Sequence, residues 1–211
     1  IGDVLISSLL CSHFKVLYPQ AQVHYAIHQG TQAVVQGHPD IDQFILSTPK
    51  KSWNQWRKLI NQIKKEQYDL ILDAYGKLES LMMILPSRAP RVYGHKKWFS
   101  LLAYSRTSKP SSQVYTHAGN AIEDRLRLIY PESEIRVKAQ EFRPKIYLTP
   151  EEISWAKEII DAHNLDRAKT LVMVSVLGSS IDKSLPAQTM AQILTTLAQQ
   201  PNTHILLNYM P

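Results

Sequence analysis

Three features of the sequence predict an α/β fold with mostly parallel sheets. Two stretches, Tyr68–Ala74 (YDLILDA) and Thr170–Val176 (TLVMVSV), are continuous apolar runs of the kind carried by strands buried on both faces. Segments with helical periodicity lie between the strand-like runs. The clearest is Ser52–Glu66, where Trp53, Trp56, Leu59, Ile60 and Ile63 form one stripe. Strands that alternate with helices along a chain are joined by right-handed crossovers, which makes neighbouring strands parallel.

The elements follow in order. Ile1–Leu17 reads as a helix, with Val4, Leu5, Leu9, Leu10, Phe14 and Leu17 near one face. Asp3 falls at its N-terminus, where backbone donors and the helix dipole favour an anion. Two roles are open to it: an ordinary N-cap, or a functional carboxylate. After Pro19 come a strand at Val23–Ile27, a helix over Gly30–Gln36, a turn at His38–Asp42 and a strand at Phe44–Leu46. Ser52 with Gln55 forms a capping box for the next helix. Tyr68–Ala74 is a strand, Leu78–Leu85 a helix and Arg91–Gly94 a strand.

His95–Lys109 interleaves Lys96, Lys97, Arg106 and Lys109 with Trp98, Phe99, Leu101, Leu102 and Tyr104. Such a segment suits a membrane surface or a phosphorylated lipid. It equally suits an ordinary surface helix or loop whose aromatics pack inward. Thr116–Tyr130 reads as a helix. Its Glu123 and Asp124 are adjacent and point apart, which argues against a paired-carboxylate site. Glu132–Pro144 is polar and aperiodic, the expected linker. The expected division is therefore a first domain over 1–144 and a second over 145–211.

The second domain begins with a short strand at Ile146–Leu148. Thr149, Pro150 and Glu152 then supply an N-cap, a proline at the first helical position and a capping-box acid. The strand Thr170–Val176 runs into Gly178-Ser179-Ser180-Ile181-Asp182-Lys183. A helix over Ala187–Gln200 and a strand from His204 follow. In open α/β sheets ligands gather at the carboxyl ends of strands, so the Gly178–Lys183 turn is a candidate phosphate cradle. It lacks the GKS or GKT ending of a P-loop, and a plain loop accounts for it as well.

Composition bounds the function. The 211 residues suffice for one sizeable domain and part of another. The chain starts at Ile1, so a preceding piece is expected, and the second domain reads as cut short. The single cysteine, Cys11, rules out a disulfide within the chain and suits a cytoplasmic setting. The formal charge of +6 favours anionic partners. It is dispersed, without the basic stripe of a nucleic-acid binder, so no nucleic acid is expected. No signal peptide is visible and no apolar run is long enough to cross a bilayer. HExxH and CxxC patterns are absent and the histidines are scattered singly, so no metal and no cofactor are expected.

In this order and spacing, the segments IGDVLISS, YPQAQVHYAIHQGTQAVVQGHPDIDQFI, YDLILDAYGKLESLMMILPSRAPRVYG and VLGSSIDKSLP resemble blocks of glycosyltransferase family 9. Leu185 stands where that family usually has tryptophan. The resemblance implies a GT-B fold of two Rossmann-like domains, with the second incomplete in this chain. It also implies an inverting, metal-independent transfer of a sugar, heptose above all, from a nucleotide-sugar such as ADP-heptose to a lipopolysaccharide core or related acceptor. By the same resemblance Asp3 is the catalytic base, and Gly2 lets the acceptor approach. Gly178, Ser179, Ser180 and Lys183 hold the donor diphosphate. Arg106 and its basic neighbourhood are expected to meet acceptor phosphates, without a motif to support them. The implied partners are a nucleotide-sugar and a phosphorylated glycolipid, with peripheral contact at the inner membrane face. A non-catalytic module of the same fold that binds nucleotide or glycan phosphate is the alternative.

Overall fold

A computed structural model describes residues 1–48, 52–163, 165, 169–178 and 180–208. They form two compact units divided between Tyr147 and Leu148.

The first unit opens on helix α1 (Gly2–Leu17), which buries Ser7 to His13. Strand β1 (His24–His28) pairs in parallel with β2 (Gln43–Ser47), Ala26 opposite Ile45. Between them Gln29–Val34 is a 3-10 turn where the sequence suggests an α-helix over 30–36. Local bonds tighten it: His28 Nδ1 accepts from the Gly30 amide at 3.1 Å, and Thr31 Oγ1 donates to the His28 carbonyl at 2.7 Å. Helix α2 (Trp53–Glu66) carries the expected capping box of Ser52 and Gln55. Leu59 and Ile63 of its stripe are buried, whereas Trp53 in the first turn is exposed.

Strand β3 (Leu70–Asp73), helix α3 (Leu78–Ser87) and strand β4 (Arg91–His95) follow as two parallel strands joined by a helix. The segment after β4 is not one continuous surface helix or loop. It divides into a four-residue helix α4 (Ser100–Ala103) and a strand β5 (Arg106–Ser108) that extends the sheet in the order β3-β4-β5, all parallel. Phe99 and Tyr104 turn inward onto Leu81, Ile84 and Val92. Gly94 lets the Tyr104 ring pass close to the strand, since a Cβ there would lie 2.5 Å from the ring.

Helix α5 (Asn120–Leu126) is shorter than the predicted Thr116–Tyr130. Gly119 at φ +87 breaks the chain just before it, and turns follow it. The expected linker is also folded. A 3-10 turn at Glu132–Glu134 leads into helix α6 (Ile135–Glu141). Ile135 and Ala139, one helical turn apart, are fully buried against Leu9, Leu10, Ile122 and Leu126. Two apolar positions are too few to register as periodicity but enough to dock one face of a short helix. The predicted strand at Ile146–Leu148 is absent. That stretch has no strand partner among the described residues, and Tyr147 meets the His38 ring at a centroid distance of 5.0 Å.

The second unit contains α7 (Pro150–Ala162), β6 (Thr170–Ser175), α8 (Ala187–Ala198) and β7 (Thr203–Asn208), with β6 parallel to β7. The Thr149–Glu152 capping box is formed. Burial of β6 on both faces is not met: Leu171 and Met173 on one face are exposed, while Val172 and Val174 on the other are half-buried. Two strands and two helices do not cover both faces of a parallel ladder.

Candidate active site

The N-cap position of α1 falls on Ile1, so Asp3 lies inside the first turn and makes no capping bond to the helix. Its carboxylate is 89% exposed. Oδ1 accepts from a terminal nitrogen of Arg125 at 3.0 Å, and Arg125 Nε donates to Ser7 Oγ, one turn further along α1, at 3.2 Å. An ion pair with so exposed a partner adds little stability, on the order of 0–1 kcal/mol. What it supplies is orientation. Oδ1 is occupied, and the contact leaves the Oδ2 lone pairs to an incoming donor. At Gly2 an added Cβ would meet nothing within 4 Å.

Arg125 is held firmly because α5 is anchored on both sides of it. Glu123 is fully buried, and its carboxylate accepts from the amides of Tyr115 (3.0 Å) and Thr116 (2.7 Å) and from Thr116 Oγ1 (2.9 Å). Arg127, also buried, donates to Glu132 at 2.9 Å from two nitrogens and to Asp124 at 2.8 Å. Charge-assisted bonds of this kind are among the stronger polar contacts in a protein. Glu123 and Asp124 both pair with Arg127, at 3.7 and 2.8 Å, while Glu123 alone takes the Tyr115 and Thr116 amides and Asp124 the Ser111 amide.

The carboxyl ends of the three-stranded sheet present Asp73, His95 and Ser108. Asp73 is consumed by structure: Oδ1 accepts from the Tyr75 and Gly76 amides, and Oδ2 from Ser80 Oγ (2.7 Å) and Tyr104 Oη (2.6 Å). His95 Nδ1 lies 3.0 Å from Ser108 Oγ. Burial holds His95 below the ordinary imidazole range, and Asp124, Arg125, Lys97 and Asp73 act on it electrostatically. The Arg125 that grips Asp3 thus shares the field of the strand ends where a parallel sheet receives ligands.

Arg106 is placed differently. It opens β5 at the amino end, donates to the Ile129 carbonyl at 3.3 Å and lies over the Tyr93 ring at 5.4 Å. These contacts are separate from those of Asp3.

In the second unit, Ser179 lies outside the described residues. The remainder of the loop closes on itself. The Gly178 amide donates to Ser184 Oγ at 2.9 Å, and Ser184 Oγ donates to the Ser180 carbonyl at 2.9 Å. A Cβ at Gly178 would collide with the Lys183 carbonyl. The glycine therefore admits the loop's own backbone, where the sequence suggests only the approach of a ligand. Lys183 and Ser180 are exposed. The loop leads into α8, whose N-terminus has no side-chain cap and no acidic residue in its first turn, so its dipole is unopposed. Leu177, Gly178, Ser180, Ile181, Ser184 and Leu185 line an open depression there.

Sequence reasoning missed Arg125, Ser7 and His95. Arg125 lies 122 residues from Asp3, and one of two arginines in an amphipathic segment carries no signal of that pairing. Among the described residues, no three His, Cys, Asp or Glu side chains gather as a metal-ligand set, and no helix is long and apolar enough to cross a membrane.

No protein-family model matches the sequence, and no curated protein matches it. Solved structures do. A glycosyl transferase family 9 protein from Veillonella parvula DSM 2008 superposes with a TM-score of 0.76 at 16% identity, over 98% of this chain and 58% of that one. The E. coli ADP-heptose lps heptosyltransferase II gives 0.67 at 16% identity, over 96% and 60%. The E. coli heptosyltransferase WaaC, solved with ADP, gives 0.62 at 18% identity, over 100% and 64%. The chain spans roughly three fifths of the length of these structures. Along nearly all of its own length, this chain carries the GT-B fold of the family 9 glycosyltransferases and heptosyltransferases.

Proposed function

We propose that the protein is an inverting glycosyltransferase that moves a sugar, heptose in the first instance, from a nucleotide-sugar to a hydroxyl of a phosphorylated glycolipid core. The observation that carries this reading is the exposed Asp3 carboxylate, held at one oxygen by Arg125 beside the carboxyl end of a parallel sheet. In the reaction the acceptor oxygen attacks the anomeric carbon, and the bond from that carbon to the diphosphate breaks. Asp3 takes the acceptor proton as the new glycosidic bond forms. The departing nucleoside diphosphate carries the displaced electron pair. The Lys183 ammonium and the uncapped N-terminus of α8 would offset its charge. This division of labour, with the acceptor on the first unit and the donor on the second, needs no metal on the leaving group. The bound nucleotides of the WaaC structures, ADP and ADP-2-deoxy-2-fluoro heptose, make ADP-heptose the first donor to test.

The test compares the intact wild-type protein with Asp3→Asn. Transfer from ADP-heptose to a deacylated core acceptor and ADP binding by calorimetry are both measured. The expected outcome is a fall in transfer of about a hundredfold or more with ADP binding kept, the scale of a lost general base. Equal transfer by the two proteins removes Asp3 from the chemistry. ADP binding without transfer in either protein, across a panel of nucleotide-sugars, would establish a binding module instead.

A further inference from the structure

Helix α4 and the turn before it present the most exposed apolar side chains of the first unit. Trp98 is 82% exposed, Leu101 95% and Leu102 76%. They do not face outward for want of a core to join, since Phe99 and Tyr104 beside them are buried against Leu81 and Ile84 of α3. Helix α3, which touches α4, adds a second outward row: Leu78, Met82 and Leu85, spaced four and three residues apart. Both elements therefore have one apolar side facing the core and another facing solvent.

Basic residues flank this surface. Lys77 precedes α3, and Lys96 and Lys97 precede α4, all exposed. Lys77 Nζ sits 4.5 Å from the centre of the exposed Tyr75 ring. Glu79 is the one carboxylate within α3, and it lies a quarter-turn from the apolar row. Exposed tryptophan and leucine with a lysine rim are what an interfacial segment needs: apolar groups reach below the headgroups while the ammoniums meet anionic phosphate. The same rim disfavours a second copy of the chain, because a two-fold contact would set the lysines against one another.

We infer that the α3–α4 surface, with Trp98, Leu101 and Leu102 at its tip and Lys77, Lys96 and Lys97 around it, docks the protein on an anionic lipid bilayer. The inference deepens the proposed function by placing the protein where a glycolipid acceptor resides, yet it stands on the patch alone, and the flotation that decides it needs no transfer.

The experiment is flotation of the intact protein with vesicles of phosphatidylcholine, with and without phosphatidylglycerol, at low and high salt. The wild type is expected to float with the anionic vesicles, less so at high salt, and to stay behind with the neutral ones. The triple substitution Trp98→Ser, Leu101→Ser, Leu102→Ser should lower the bound fraction about tenfold or more. Its circular dichroism and its transfer to a soluble acceptor should be unchanged. Each of three results would overturn the inference: no flotation of the wild type, equal flotation of the triple variant, or a wild-type dimer in sedimentation velocity that the triple variant abolishes. A protein that floats but transfers no sugar sinks the proposed reaction and leaves the docking surface intact.

Discussion

Lowering the pH should loosen the helix that carries Asp3, and His13 sets the size of the effect. Its ring is fully buried in α1. Nδ1 lies 3.2 Å from Tyr130 Oη and 3.7 Å from Glu141, and Tyr130 and Phe142 meet the ring edge-on. Nε2 has no hydrogen-bond partner among the described residues. Protonation would strand a second N–H in apolar surroundings. Burial accordingly pushes His13 down from 6.5 to about 4, against the smaller upward pull of Glu141 and with a slight push from Lys138. The sign follows from which state binds the proton. As pH falls below 6.5 the unfolded chain takes it up and the folded one does not, so stability is full above that point, declines down to about pH 4 and then levels off. Between about pH 7.5 and pH 5 the loss is roughly 2 kcal/mol. The assay is urea unfolding followed by circular dichroism at both pH values, for wild type and His13→Gln. His38 and His95, also held low by burial, contribute equally to both proteins and cancel in the difference. The wild type should lose about 2 kcal/mol more than the variant over this range. Equal losses would mean that His13 is solvated or charged in the folded protein and would refute the argument.

Two further outcomes are expected at the site itself. Arg125→Gln should lower kcat about tenfold to a hundredfold with little change in KM, because the carboxylate loses its orientation and not its identity. Arg125→Lys should recover part of the rate, and Arg125→Gln should cost nothing further on an Asp3→Asn background; additive losses in that cycle would show that Arg125 acts independently of Asp3. Gly178→Ala should weaken ADP binding in calorimetry by about tenfold, since the added methyl forces the loop away from the Lys183 carbonyl. Unchanged affinity would mean that the closed loop is not the form that binds nucleotide.

What the sequence revealed were features that short-range chemistry writes locally. Ser52 with Gln55, and Thr149 with Glu152, announce helix starts, and both capping boxes form. The apolar runs at 68–74 and 170–176 became parallel strands within a residue or two at one end or both. What stayed hidden was written across distance. Ile135 and Ala139 look like linker residues until Leu9 and Leu126 are beside them. Asp3 reads as a cap or a functional carboxylate, and its ion pair with Arg125 from α5 shows only in the fold. Glu123 looks like any surface acid, yet it is wholly enclosed because a loop eight residues upstream turns its amides onto it. The strand-end cluster of His95, Ser108 and Arg125 depends on sheet order, which no local pattern encodes.

The packing of α1 also bears on how the chain is made. Leu9 and Leu10 are synthesised more than a hundred residues ahead of their partners Ile122, Leu126, Leu128, Ile135 and Ala139. At ordinary elongation rates the wait is on the order of ten seconds, far longer than the microseconds a helix needs to form. During that interval the apolar face of α1 is exposed to the cell without its native cover. The helix that carries Asp3 is therefore made long before it is secured, and nascent chains of this protein present a natural holding site for chaperones until residue 139 has emerged.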